Sequence, residues 1–244
     1  MLTKTPKLTV ITGWNPEGYV QYGRRFAETF HRHVSPDVDL IVYGEEPVKL
    51  PRGEFRRLDA IPGCVEFLMR HDNPRGRGRE VQPNWKPSAR EAGYNFRFDA
   101  RKFSRQGFIP LHAALSLGGD DQMLAWFDGD VVFTRDVPRG TLQGLLPAGA
   151  DVAYLGRGEK HSEIGFQIYR IPAALRMLLA FSRLYESDEV FALKEWHSAY
   201  CFDEARRRTA TRGHDLTPGG SGHVWQQSPL RAFSDHLKGK RKGI

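Results

Sequence analysis

The feature that most limits the fold is the order of patterns in residues 8–44. LTVITG (8–13) is a short apolar run of the kind that forms a buried strand. EGYVQYGRRFAETFHRHV follows, with Tyr19, Tyr22, Phe26, Phe30 and Val34 at helical spacing and charges on the other face. VDLIVYGEE then supplies a second strand ending at Gly44. Strand, helix and strand in that order predict a β-α-β unit, and with it an α/β fold built on a parallel sheet. A further short strand is expected over 54–58.

Later segments extend the pattern. DVAYLG (151–156) and IGFQIYR (164–170) read as strands. FDARKFSRQGFIPLHAALSL is helical, with a break or kink expected at Pro110. PAALRMLLAFSRLY is a helix with Pro172 at its start, and EWHSAYCFDEARRR is another, with Trp196, Tyr200 and Asp203 on one face. Residues 70–93 are rich in Pro, Gly and Arg with Trp85 as their one large apolar residue, so they predict a mobile basic loop. Residues 227–244 read as a basic, loop-like tail. With no repeat and no linker between two cores, the 244 residues are expected to form a single domain.

Hydrophobic residues make up 40% of the chain, with 15 Phe, 8 Tyr and 5 Trp, which excludes a disordered chain and can fill a core. No stretch is long and apolar enough to span a bilayer, and MLTKTPKLTVITG lacks a secretory apolar region, so a cytoplasmic location is expected. Cys64 and Cys201 are too few and too far apart for a disulfide framework and read as buried thiols. The net charge of +7 points to anionic partners, with basic clusters at 70–80, 206–208 and 238–243. Solvated faces are the plain alternative for each cluster.

AWFDGDVVFTRDVP (125–138) raises a problem of charge. A strand built for burial ends in Asp128 and Asp130, then resumes as Val131, Val132 and Phe133. An unpaired buried carboxylate costs several kcal/mol, so the pair needs a metal, a cation or water. Two carboxylates one residue apart suit a hard divalent ion through oxygen, and Gly129 between them lets a ligand come close. In open α/β sheets the carboxyl ends of strands are also where ligands bind.

This stretch resembles the Asp-x-Asp strand of the GT-A-fold glycosyltransferases. DHLKGKRK, with His236, Gly239 and Lys242 as His-x-x-Gly-x-x-Lys, is similar to the terminal motif of the glycogenin-like and lipopolysaccharide galactosyltransferase group, without the Pro-Trp that follows there. The resemblance implies a GT-A-like (Rossmann-like) single domain, with a mostly parallel central sheet flanked by helices. It implies a Mn²⁺ or Mg²⁺ ion held by Asp128, Asp130 and His236, and a nucleotide-sugar donor, with UDP expected, contacted by Gly239 and Lys242 at its diphosphate. VITGWNPEGYVQYGRRF takes the place of the strand and loop holding the base, which nominates Thr12, Gly13 and Tyr22. FRFDARKFSRQ takes the place of a helix reaching toward the donor, which nominates Asp99 and Arg105, while Gly129 lies inside the metal motif. HSEIGFQIYR falls where residues face the transferred sugar.

If the reaction inverts the anomeric centre, the acceptor hydroxyl needs a base. Glu163, before a buried strand, and Asp203, on the inward face of a helix, are the candidates. Each is equally readable as a structural carboxylate paired with arginine. The acceptor, whether glycan, lipid-linked or protein, is not legible. The basic loop and tail would suit an anionic acceptor or the inner face of an anionic membrane, with solvated charge as the default reading and a cytoplasmic location expected. Two rival functions remain. A HAD-like phosphohydrolase also uses Asp-x-Asp after a strand, normally the chain's first, whereas strand-like segments precede it here. A basic nucleic-acid-binding protein would explain the charge but not the aspartates, and no helix-turn-helix, zinc-finger or RNP signature is present, so no nucleic acid is expected.

Overall fold

The apolar runs of the opening become adjacent parallel strands. In the computed structural model, which describes residues 6–79, 93–118, 122–239 and 241, β1 (Lys7–Trp14) pairs with β2 (Asp39–Gly44). Thr9 faces Asp39 and Trp14 faces Gly44. The crossover comprises α1 (Pro16–Gly18), a π-helical turn over Tyr19–Gly23 and α2 (Arg24–His33). Asn15 caps its start, its side chain accepting from the Gly18 amide at 2.8 Å. Phe26, Ala27 and Phe30 are the buried face of α2, as the helical spacing requires.

The chain continues through β3 (Glu54–Arg57), α3 (Pro62–Arg70), α4 (Ala100–Leu117), β4 (Gln122–Phe127) and β5 (Val131–Phe133). After α5 (Arg139–Gln143) come β6 (Val152–Arg157), β7 (Lys160–Ile171), α6 (Leu175–Glu186) and α7 (Ser198–Thr209). Two short strands, β8 (Gly213–Asp215) and β9 (Ser234–His236), close the chain. Seven strands form one sheet in the order β3-β2-β1-β4-β7-β6-β8. β7 is antiparallel to both β4 and β6, and the other pairings are parallel. This is an α/β architecture with a mostly parallel central sheet flanked by helices, compatible with a Rossmann-like fold.

Side chains alternate across the sheet and fill a core on each face. Ile11, Ile41, Tyr43 and Trp126 join the side covered by α3, α4, α6 and α7. Val10, Val42, Ala125 and Phe127 join the side covered by α2 and α5. Burial on both faces explains why these strands read as continuous apolar runs. Cys64 and Cys201 are free and buried, and burial pushes each thiol up to about 12. Among the described residues no helix is long and apolar enough to cross a membrane.

Several expectations change. Val131–Phe133 does not prolong the central strand but leaves it to form a two-stranded sheet with β9. Pro110 lies inside α4 without ending it, because one lost backbone hydrogen bond is outweighed by a well-buried helix face. α6 begins at Leu175, so Pro172 lies in the preceding turn and not at its first position. α7 begins at Ser198, which leaves Trp196 before the helix, its ring 5.1 Å from Phe98 and 4.9 Å from Phe191. Over its described residues the tail is not loop-like: Leu230 and Phe233 are buried and β9 is paired.

The loop expected over 70–93 starts with anchors that composition did not show. Arg70 binds Asp188 at 3.0 Å, and the Arg75 guanidinium lies over Phe191 and Trp196. Gly76 O and Gly78 O accept from Arg101 N and Asn95 N. Residues 80–92, with Trp85, lie outside the described residues.

Candidate functional site

The site is built where β4 ends. Asp128 N donates to Gly165 O of β7 at 2.8 Å, and Val131 N donates back to Asp128 O at 3.0 Å, which turns the chain sharply out of the sheet. β5 then pairs with β9 so that Val131 faces His236, and Leu237 N donates to Asp130 O. That register carries the C-terminal histidine to the aspartates. His236 Nε2 lies 3.0 Å from Asp130 Oδ1 and 3.7 Å from Asp128 Oδ2. One ligating atom from each of the three lies within 4.8 Å of the others.

Neighbouring groups fix the orientation. The Trp126 indole N–H donates to Asp128 Oδ1 at 2.8 Å, and Gln106 Nε2 reaches the same oxygen at 3.4 Å while holding Ile164 O at 2.7 Å. Oδ1 is therefore engaged, and Oδ2 faces His236. Gly165 is required by space: a Cβ there would lie 2.7 Å from His236 Cε1 and 3.3 Å from Asp128 Oδ2. His236 Nδ1 is buried without a hydrogen-bond partner among the described residues.

The electrostatics are unbalanced. Burial and the adjacent Asp130 charge raise the Asp128 carboxyl to about 6, against the pull of His236 and the Trp126 hydrogen bond. About a third of its side chain (34%) still reaches the cleft's water, so this opposition to charge is partial. Burial works against a charged His236, but its hydrogen bond to Asp130 and the charges of Asp130, Asp128 and Glu163 outweigh it and raise its pKa. Two carboxylates and an imidazole converging through oxygen and nitrogen fit a divalent cation.

Asp128 and Asp130 line a cleft of about 430 Å³ at the carboxyl ends of β1, β2 and β4, and His236 of β9 meets them there. Of the residues the resemblance nominated for the donor, Gly13, Tyr22, Arg105 and Gly129 line it. Tyr43, Leu58 and Ile109 make its apolar end. A Cβ on Gly129 would come within 3.1 Å of Trp14 and 3.2 Å of Tyr22, so any larger residue would crowd those rings and the backbone stays bare on the cleft wall.

Other sequence candidates sit elsewhere. Thr12 is fully buried and does not line the cleft, because strand alternation sends its side chain to the opposite face from Gly13. Asp99 caps α4, accepting from Lys102 N at 2.9 Å and Tyr94 Oη at 3.0 Å; it lines only an adjoining polar recess shared with Lys102 and Arg105. Glu163 is gripped by Lys238 Nζ at 2.7 Å with Arg157 at 3.8 Å. Burial opposes its charge, but Lys238, His236 and Arg157 prevail and hold its pKa low. Asp203 accepts from Ser162 N at 2.9 Å and Ser162 Oγ at 2.7 Å and ties α7 to β7. Gly239 is exposed with φ +59°, and Lys242 lies outside the described residues.

The sequence reading missed Trp126, Gln106 and Lys238. Trp126 carried a usable signal: it stands two residues before Asp128 at the end of one strand, close enough for its indole to reach the carboxylate. Compared with known proteins, the chain matches no protein-family model and no curated protein sequence.

Proposed function

We propose that the chain is a metal-dependent glycosyltransferase of the GT-A type, moving a sugar from a nucleotide-diphosphate sugar, UDP by resemblance, to an acceptor hydroxyl. The observation that carries this reading is the meeting of Asp128, Asp130 and His236 beside a cleft that Asp128 and Asp130 line together with Tyr43, Leu58 and Ile109. The resemblance rested on two motifs distant in sequence, and both contribute a side chain to one cluster. Oxygen-rich ligation suits Mn²⁺ or Mg²⁺. Bound there, such an ion supplies Lewis-acid stabilisation of the negative charge on the departing diphosphate.

The chain's own residues do the rest. Tyr43, Leu58 and Ile109 offer the flat apolar space a nucleobase needs, and Gly13 and Gly129 let backbone approach the ribose and diphosphate. Trp126 and Gln106 hold Asp128 with Oδ2 outward. Lys238 keeps Glu163 ionised, so Glu163 takes the acceptor proton only if an acceptor displaces the ammonium.

Thermal unfolding of the full chain with a panel of nucleotides, with and without Mn²⁺, tests the reading. UDP at about 100 times its Kd should add about 2.7 kcal/mol, a rise of roughly 5–10 °C, only when Mn²⁺ is present. If no nucleotide stabilises the chain in a metal-dependent way, the reading fails.

A further inference from the structure

Phe103, which lines the cleft, also packs against a second convergence of ligating side chains. His161 of β7 meets Glu195 and His197, which lie just before α7. His197 Nε2 is 2.7 Å from Glu195 Oε2, and His161 Nε2 is 3.4 Å from the same oxygen. One ligating atom from each lies within 4.8 Å of the others. Glu195 and His197 are buried, whereas 36% of the His161 side chain is exposed.

We propose that His161, Glu195 and His197 form a second divalent-cation site, for a borderline transition ion such as Zn²⁺ or Co²⁺. Two imidazole nitrogens with one carboxylate oxygen favour these ions over Mg²⁺ and Mn²⁺, which prefer oxygen. A plain hydrogen-bonded pair accounts for one histidine on Glu195. It does not require a second imidazole nitrogen directed at the same oxygen.

The surroundings fix all three ligands. Trp196 N and His197 N both donate to Arg97 O, at 2.7 and 3.1 Å, which clamps the ligand-bearing segment onto the turn before α4. Arg97 Nη1 reaches the other Glu195 oxygen, Oε1, at 3.3 Å and leaves Oε2 between the imidazoles. A polar partner on a ligand's outer oxygen is the usual way a metal site is oriented. The His197 ring is held by Phe96 and Phe103, with centroids at 6.0 and 6.1 Å, and the His161 ring by Tyr200 at 5.0 Å. Three protein ligands with the exposed side at His161 leave a coordination position for an oxygen of a bound molecule.

The two sites are neighbours but separate. His161 and Glu163 are two residues apart on β7, about 7 Å along the strand. Glu163 is close enough to the first cluster to act on His236 and Asp128.

The test uses the full chain without a histidine tag, stripped with EDTA and titrated with Co²⁺. The expected result is a saturable visible d–d absorption that Zn²⁺ abolishes. Asp130→Asn should retain it, and His161→Gln should weaken Co²⁺ binding by at least about tenfold. Glu195→Gln, which preserves shape and an acceptor for Arg97, serves as a second variant, with melting in EDTA as the check on folding. Absence of the band in the unmodified chain overturns the proposal without recourse to any variant. A band lost in Asp130→Asn but kept in His161→Gln overturns it too, by assigning the ion to the first cluster. Because Asp130→Asn disables only that first cluster, failure here and failure of the glycosyltransferase reading give different results.

Discussion

The two histidine–carboxylate clusters differ in how they are joined and in charge. The first is closed by the pairing of β5 with β9, whereas the second sets His161 of β7 against a segment clamped on Arg97 O. At the first, Asp128 and Asp130 face one imidazole, and Asp128 is raised to about 6 by burial and by its neighbour. At the second, Glu195 stands among two imidazoles and the Arg97 guanidinium. The first is strained by like charge until a cation arrives. The second is content as folded, and its preference for a metal comes from the direction of its nitrogen lone pairs. Position in the fold follows this difference: the unbalanced pair lies at the carboxyl edge of the sheet, and the balanced trio lies behind the cleft wall.

The largest predicted effect separates the clusters directly. Asp130→Asn removes a buried ligand of the first and should weaken Mn²⁺ binding more than about 100-fold, since even outer partners of a metal are worth about 10–100-fold. Co²⁺ at the second should be unchanged. Calorimetric titration of both ions against this variant and His161→Gln gives four numbers. Parallel losses in both variants would mean one shared site, and the comparison would collapse.

Acidity should act next. A proton competes with the ion at Asp128, raised to about 6, and at His236, raised above the ordinary histidine value. Both groups hold protons more tightly in the folded, metal-free state, so Mn²⁺ affinity is full only above both values. It should fall as pH drops through both values, by about tenfold per pH unit where one proton is displaced and up to about a hundredfold where both are. Electron paramagnetic resonance of free Mn²⁺ across this range checks it. A flat profile would remove the imidazole and Asp128 from the ligand set.

Local pattern made part of this legible in the sequence. Period and spacing revealed the β-α-β opening and the aspartates at a strand end, whereas His236 was nominated by resemblance alone. What stayed hidden depends on pairing across long separations. Nothing in residues 131–133 announces that their partner is β9, and nothing in 164–170 announces that β7 runs against the sheet. Thr12 and Gly13 are adjacent and look equally well placed, yet alternation gives the cleft only to Gly13. Asp99 reads as a ligand and acts as a helix cap, because the start of α4 falls one residue later. Arg75, in a stretch that reads as solvated charge, covers two aromatic rings. His161, Glu195 and His197 carry no motif spacing, so only the folded chain shows that they meet.

The smallest predicted effect is the sharpest test of the charge difference, because its sign should reverse between clusters. Asp128 has a folded-state pKa of about 6 against an ordinary value of 3.8. A raised folded pKa means a contribution that is fully present below the unfolded value and lost as pH rises through about 6. Above that, the ionised pair opposes folding. The shift taken whole would be roughly 3 kcal/mol at 1.36 kcal/mol per unit, and water reaching a third of the side chain reduces it to the order of 1 kcal/mol. Asp128→Asn keeps an oxygen for the Trp126 indole and removes the repulsion. In EDTA at neutral pH it should therefore melt about 2–4 °C above the unmodified chain, with the gain fading toward pH 4. With Mn²⁺ the order should invert, since only the unmodified chain binds the ion. Glu195→Gln in EDTA should instead lower the melting temperature, because it strips the one negative charge from Arg97 and the two histidines. Shifts of the same sign in both variants would show that like-charge strain is not what distinguishes the first cluster.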